Sequence, residues 1–559
     1  MTRFYLPIYM LLAAYILFNA PSVAMAAAPD AGQILRDIKP TKPLPPTRQL
    51  EENIVPESTK PAAQSSPSDD ARVTVSHFSF VGNAAYSEAA LHALVADAEN
   101  KPLNFAELLA VVDRIEVAYK QAGFFLVQAY LPPQKIKNGI IVINVSEGML
   151  GRYRLEGESR IKPQVIFSYL DQLPKATALK FNEVERQILL INDLAGSNAK
   201  LDLQASDEAG KTDLVLLQQL APLITGRVEL NNHGMRSTGK NRTGVYLNVN
   251  SPLKRGDRLD ASWVRSENGD LASYALNYDL PIGAQGWHFN LGTSLSQYSI
   301  GGNFSSLQAN GTVRSYSAGG SYSLLRSSKA NILLKLDAAH NDLGSDAAVA
   351  NSDLNRNSNT NNVSASANLD WLDDWLGGGS NRAEILVLAA NLHLSAAEKV
   401  DDLLGIDGRY AKALFMLGRD QAIANHLILQ AQLQHQKAWK NLDSSEKLSI
   451  GGPATLPGYA NGEASGDEGT LLKLKLSWQV RSDAALGLFA DYAHINLAYE
   501  PLASATNNTR HFSDAGISFD WQGKQGLTAS MLLAWAGSEK PNSDDNQRPR
   551  LWANVGYHW

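Results

Sequence analysis

The chain closes on Leu551-Trp552-Ala553-Asn554-Val555-Gly556-Tyr557-His558-Trp559. Side chains alternate along a strand, so Leu551, Ala553, Val555, Tyr557 and Trp559 share one face. A soluble domain seldom ends on a bare aromatic, whereas a membrane barrel whose last strand is read by assembly machinery does, which makes Tyr557 and Trp559 the expected assembly signal. The same alternation runs upstream. Trp287, Phe289, Leu291, Thr293 and Leu295 oppose His288, Asn290, Gly292, Ser294 and Ser296. Leu427, Leu429, Ala431 and Leu433 oppose Gln430, Gln432 and Gln434, and Leu472, Leu474, Leu476, Trp478 and Val480 oppose Lys473, Lys475, Ser477 and Gln479. Period two with one apolar and one wet face fits both a half-buried soluble sheet and an outer-membrane barrel. Runs near ten residues, Trp and Tyr near their ends, and the aromatic terminus favour the barrel. Residues 221–559 would hold about sixteen strands, at roughly 20 to 22 residues per strand and connection. The Asn-, Ser- and Asp-rich stretch from Asn341 to Asn362 reads as an extracellular loop.

The whole chain has 559 residues, 19% of them charged, below the roughly 25% usual in soluble domains. Its net charge of −6 shows no basic excess for nucleic acid. Zero cysteines exclude disulfides, thiolate metal sites, iron–sulfur clusters and a catalytic thiol. A mean hydropathy of −0.21 is too polar for a bundle of membrane helices. No nucleophile elbow, zincin, Walker, dinucleotide or EF-hand motif is present, and Ser465 in Gly462-Glu463-Ala464-Ser465-Gly466 stands one place too late for an elbow. The 11 histidines show no metal-ligand spacing, so the reading is no enzyme, no catalytic residue, no metal and no cofactor.

Arg3, the apolar run Phe4 to Phe18 and Ala24-Met25-Ala26 predict a signal peptide over 1–26 rather than an uncleaved anchor. Ala31 to Ile38 predicts a short amphipathic helix within 27–39, with Ile34, Leu35 and Ile38 on one face. Pro40, Pro43, Pro45 and Pro46 stop it, and residues 40–72 have a linker composition that cannot fold alone. Two α+β modules follow, 73–148 and 149–220. In the first, Val73 to Phe80 predicts a strand and Ala89 to Ala98 a helix. Asn104 with Glu107 opens a second helix bearing Leu108, Val111, Val112, Ile115 and Tyr119, and strands over Phe124 to Leu131 and Ile140 to Val145 close the module. The order β-α-α-β-β recurs in the second, with Asn182 and Glu185 as the matching cap, so the modules read as a repeat.

Together these features resemble the two-partner secretion transporters (TpsB, hemolysin secretion/activation proteins of the FhaC, ShlB and HecB type), across the whole chain. The modules are similar to POTRA domains, which bind extended client chains at a sheet edge. The segment Gly451-Gly452-Pro453-Ala454-Thr455-Leu456-Pro457-Gly458-Tyr459, continuing through Gly462 and Glu463, resembles the family's lumen loop near 450–470 with its V-R-G/A-Y tetrad. Pro457 stands where the tetrad has arginine. In the family that arginine pairs with the aspartate of an F-x-D-x-G strand, which Phe489-Ala490-Asp491-Tyr492-Ala493 matches without its glycine. Alternation puts Asp491 on the lumen face, with Arg481 a candidate substitute cation; Lys473, Lys475 and Lys335 read as channel lining or solvated face.

The resemblance implies a bacterial outer-membrane protein with periplasmic modules, an N-terminal helix that plugs the barrel, and an unfolded secreted client such as a hemolysin or adhesin. Barrel assembly machinery and outer-membrane lipid would be its other partners, and nucleic acid would not. Rival readings are a barrel assembly factor of the same superfamily and a diffusion channel bearing POTRA-like modules.

Overall fold

The computed structural model describes residues 30–38, 72–208, 210–349, 352–537, 539, 541 and 549–559. The signal-peptide segment 1–26 and linker residues 39–71 lie outside the described residues. Helix α1, Ala31–Ile38, is opened by Asp30, whose carboxylate accepts the Gln33 N–H at 2.8 Å.

The first module runs β1 (Val73–Val75), β2 (His77–Val81), α2 (Glu88–Val95), β3 (Lys101–Leu103), α3 (Phe105–Gln121), β4 (Gln128–Tyr130) and β5 (Ile140–Ser146). Its sheet has the order β2-β5-β4, with β2 parallel and β4 antiparallel to β5, and a separate β1–β3 pair. Asn104 caps α3 at the Glu107 N–H (2.8 Å), and Glu107 returns the bond to the Asn104 N–H (2.7 Å). Leu108, Val111, Val112, Ile115 and Tyr119 then bury against Phe78, Phe80, Ile141 and Ile143. Each such side chain contributes about 1.5–3 kcal/mol on burial. Tyr119 donates to Glu147 at 2.7 Å, and Glu147 also accepts the Ala84 and Ala85 N–H groups, so the buried carboxylate is satisfied.

The strand predicted over Phe124 to Leu131 is only β4. Phe125 and Leu126 pack instead on the core of the second module, and Phe124 bridges to Lys180. That module contains β6 (Met149–Gly157), α4 (Pro163–Leu170), α5 (Phe181–Asp193), β7 (Ala199–Ala205) and β8 (Lys211–Gln218), with β8 central in a sheet ordered β6-β8-β7. Its second helix starts before the predicted Asn182 cap. Lys180 is the N-cap, and Glu183 accepts its N–H, because the Phe181 N–H bonded to the Gly123 carbonyl at 2.9 Å fixes the entry of the chain. Lysine offers no acceptor, so only half of a capping box forms. Glu185 is freed to accept the Ser328 N–H of the barrel at 3.2 Å.

Sixteen antiparallel strands close the barrel, from β9 (Ile224–Asn231) to β26 (Arg550–His558). β26 pairs back on β9, with Asn554 opposite Asn231 and His558 opposite Arg227. Closure leaves no strand edge in lipid. Leu551, Val555, Tyr557 and Trp559 face outward while Arg550 and Trp552 point into the lumen, as the alternation requires. Outward Trp287, Trp478 and Trp559 all lie within a few residues of the turns on the module side, forming an aromatic girdle at that interface.

Of the expected loop from Asn341 to Asn362, the described residues, 341–349 and 352–362, are instead strand. β15 (Ala330–Val349) and β16 (Ser352–Asp373) run through it as one long hairpin. Its Asn and Ser side chains bond into the lumen, Ser315 to Asn341 at 2.6 Å and Asn341 to Thr360 at 2.9 Å, so polar composition there reports a wet face and not an irregular backbone.

Module two is fastened to the near rim of the barrel. Arg326 makes a bidentate pair with Asp193 (2.7 and 3.0 Å), and Arg186 donates to the Ser323 carbonyl at 2.8 Å. The Lys162 and Ala195 N–H groups bond the carbonyls of Lys254 and Gly256, each at 3.0 Å.

The lipid-facing band fixes one stability expectation. Leu488, 61% exposed on β23 (Ala484–Asn496), meets lipid. Leu488 sits two residues inward of Leu486, which pairs with the girdle residue Trp478, so Leu488→Arg should destabilise the barrel by about 1–2 kcal/mol, between the interfacial and midplane costs of arginine, read by denaturant unfolding in lipid vesicles.

Candidate functional site

The chain between β19 (Leu427–Ala438) and β22 (Glu468–Arg481) turns back into the lumen as a short hairpin, β20 (Leu448–Ile450) with β21 (Ala464–Gly466). Gly451 and Gly452 start its tip with φ of +102° and +89°. A Cβ on Gly451 would stand 1.9 Å from the Ala460 carbonyl oxygen, so only glycine fits. The Gly452 N–H bonds the Tyr459 carbonyl at 3.0 Å and closes the tip, and Gly462 carries another left-handed turn at φ +71°. Leu456 and Tyr459 are fully buried among Ile450, Ile495 and Phe512. Pro453 looks the other way, onto the lumen cavity.

The tip is held to the wall mainly through its own backbone. Asp514, on β24 (Thr509–Gln522), accepts the Gly458 N–H at 2.6 Å. Trp552 donates its indole N–H to the Pro457 carbonyl at 2.8 Å. Lys473 of β22 donates to the Ala454 carbonyl at 2.8 Å, and the Tyr459 hydroxyl donates to the Ser513 carbonyl at 3.2 Å. Glu463 faces Arg510 of β24 at 3.7 Å, so here the loop supplies the anion and the wall the cation. Gly458 allows the close approach, since a Cβ there would lie 2.7 Å from the Asp514 Cβ and 2.9 Å from the backbone of Ala536.

Phe489 and Asp491 face the lumen, but neither forms a hydrogen bond with the loop tip. Asp491 lies opposite Lys473 on one side and Asp514 on the other in the strand register. Arg481, the candidate substitute cation, instead pairs with Asp483 in the turn at the module end, at 3.0 Å. The residues that sequence reading missed are Lys473 as a loop donor, Trp552, Arg510 and Asp514. For Asp514 a signal existed: Phe512-Ser513-Asp514-Ala515-Gly516 completes the F-x-D-x-G pattern that Phe489–Ala493 leaves short of its glycine. The two segments pair directly, with the Phe489 ring filling the space above Gly516. Tyr557 and Trp559 lie outside this site, with their rings stacked 6.0 Å apart at the outer rim.

Helix α1 lies beside this loop. Ile34 and Leu35 are buried among Met235, Leu271, Tyr298, Ile300 and Val313 of the barrel. Arg36 donates to the Ser444 carbonyl at 2.9 Å, Asp37 pairs with Arg242, and Ser444 donates to Asp30 at 2.6 Å. Gly32 leaves room for that contact, because a Cβ on it would meet the Ser444 Oγ at 2.2 Å. Below helix and loop is a cavity of about 2040 Å³, lined by polar side chains of the wall and by Asn192 and Asp193 of module two. Among the described residues no group of three His, Asp or Glu ligand atoms gathers at the loop.

Residues 210–507, just over half of the chain, match the family model described as haemolysin secretion/activation protein ShlB/FhaC/HecB. The chain belongs to that family. Residues 73–148 match the POTRA domain, ShlB-type. The protein is therefore an outer-membrane transporter for two-partner secretion, with its N-terminal POTRA region in the periplasm. It is 24% identical over 471 residues to the heme/hemopexin transporter protein HuxB of Haemophilus influenzae (strain 86-028NP), covering 81% of each chain. Its fold is similar to that of CdiB from Escherichia coli (TM-score 0.70, 20% identity, 90% of this chain and 93% of that one). It is similar also to CdiB from Acinetobacter baumannii (TM-score 0.61, 14% identity, 99% and 97%).

Two outcomes follow from the contacts within the lumen. Asp514→Ala and Trp552→Phe each remove a buried partner of the loop backbone, at a cost of about 1–3 kcal/mol. Planar-bilayer recordings should show roughly 5- to 100-fold more frequent openings, with the Asp514 variant the stronger. The second concerns pH. Burial, and then the charge of Asp30, pushes the Asp443 carboxyl beside α1 up to about 6. The seated helix thus favours protonated Asp443, and this contribution is whole at acid pH and fades as pH rises through about 6. Openings should increase between about pH 5 and about pH 7, and Asp443→Asn should flatten that rise.

Proposed function

We propose that this transporter exports one large secreted partner as an unfolded chain, with residues 149–220 acting as a second POTRA domain beside the first. The observation that carries this reading is the makeup of the stopper. Loop and helix are held in the lumen by polar contacts that water can replace and by two small apolar patches, around Ile34 and Leu35 and around Leu456 and Tyr459, whereas the barrel wall is a closed ladder that cannot open without cost. Edge strands β2 and β4 in the first module and β6 and β7 in the second offer main-chain groups to an extended client. The cavity beneath the stopper adjoins module two, so a captured segment would enter it directly. Displacement of α1 and the tip around Pro457 would then open the path. The periplasm lacks ATP, so folding of the client outside supplies the drive.

The reading is supported further by what anchors the tip. Gly451, Gly452, Gly458 and Gly462 shape it, while Leu456, Pro457, Tyr459 and Glu463 fasten it at points that can detach together. Proteins of the culture medium should be compared between cells with and without the gene. We expect one large β-rich protein to disappear while other outer-membrane barrels stay unchanged. Unchanged medium with depleted barrels would replace export by assembly, and no change in either under expressing conditions would overturn export in favour of a diffusion channel.

A further inference from the structure

The first module carries a cluster that the transport reading does not use. His77 opens β2, His92 lies on α2, and Glu99 follows the turn at 96–98. The fold brings one carboxylate oxygen, Glu99 Oε1, to 3.3 Å from His77 Nδ1 and to 3.3 Å from His92 Nδ1. Among the described residues this is the one group of three His, Asp or Glu ligand atoms lying mutually within 4.8 Å. The spacing, His77 to His92 to Glu99, matches no local metal signature, which is why the sequence alone reads as metal-free.

An ordinary hydrogen-bonded cluster accounts for this arrangement poorly. The same Oε1 already accepts the Phe78 N–H at 3.1 Å. Charge-assisted N–H···O bonds are also shorter than the distances here, about 2.7–2.9 Å. Ligands around a tetrahedral zinc ion, with bonds of about 2.0–2.1 Å, stand about 3.3 Å apart, which is the spacing of Glu99 Oε1 from each imidazole nitrogen, and the two imidazole nitrogens lie within 4.8 Å of each other.

The surroundings are those of a ligand set. The Phe78 N–H orients the carboxylate, and Glu88, one turn earlier on α2, brings a second carboxylate to 3.9 Å from His92 Nε2, beyond hydrogen-bond distance but adding negative charge beside the imidazole. The His92 ring is packed edge-on against Phe80 at 5.1 Å and stacked on His77 at 4.3 Å. His77 is half exposed, which leaves an entry path and an open position for water.

We propose that His77, His92 and Glu99 bind a divalent transition-metal ion of the zinc class, with two imidazole nitrogens, one carboxylate oxygen and water as ligands. Neutral imidazole and carboxylate suit zinc, and cobalt(II) is a spectroscopic stand-in for it. The ion ties α2 and the 96–98 turn to the start of β2, an edge strand of the sheet. Metal would therefore brace the module where a client strand would add.

The test uses untagged full-length protein in detergent, stripped of metal. Zinc is titrated against a chromophoric chelator, and cobalt(II) is added separately for its visible absorption. We expect one equivalent to bind in the micromolar range with a tetrahedral cobalt spectrum. His92→Ala and the more exposed His77→Asn should each weaken zinc by at least about tenfold and abolish the spectrum, while His435→Ala in the barrel leaves both unchanged. His77→Asn keeps the test valid should His92→Ala disturb packing against Phe80. Absence of micromolar binding, or binding that survives both substitutions, would overturn the proposal.

Discussion

Hydrocarbon offers no partner for a backbone N–H or carbonyl, and every other part of this molecule answers to that constraint. It forces the strands from Ile224 to His558 into a closed ladder, with the last strand returning to the first. Sixteen strands enclose more space than inward side chains can fill. The wall alone would be a hole, so two further pieces of the chain, α1 and the loop around Pro457, occupy it. Both come in as polar guests with a small apolar face, and both are held by hydrogen bonds of modest net worth. A wall that cannot part and a filling that can are consequences of placing the same chain in lipid and in water.

Within the lumen, the pairing of charges departs from the pattern the sequence resembles. There a loop arginine meets a wall aspartate. Here the loop position is Pro457, whose ring supplies no donor, and its carbonyl is met by the indole of Trp552. The wall aspartate that engages the loop is Asp514, and it takes the Gly458 N–H. The charged pair survives in reversed sense, Glu463 on the loop facing Arg510 on the wall.

Much of this architecture was legible. The alternation of Leu and Lys over Thr470 to Val480 specifies lipid and lumen faces, and Asn104 with Glu107 marks a helix start by local chemistry alone. What escaped reading depends on contacts far along the chain. Asn182 fails as a cap because a bond from Phe181 to Gly123 sets the helix start. Asn341 to Asn362 looks irregular because the hairpin there is polar on both faces, with His340, Asp342 and Asn361 outward as well as Asn341, Thr360 and Asn362 inward. Ala454, Pro457 and Gly458 bond through atoms every residue shares, and so leave no mark in the sequence.

That last property bears on how such a protein tolerates change. A side-chain latch is lost with one substitution, but the carbonyl of residue 457 is present whatever side chain it bears, and so is the N–H of residue 458 unless proline replaces it. The steric demand falls on Gly458, pressed against Asp514 and Ala536. Variation at 457 is thus mechanically silent so long as the loop keeps its length, while an inserted or deleted residue would shift each main-chain contact out of register at once. The attachment is inherited as a spacing, not as an amino acid.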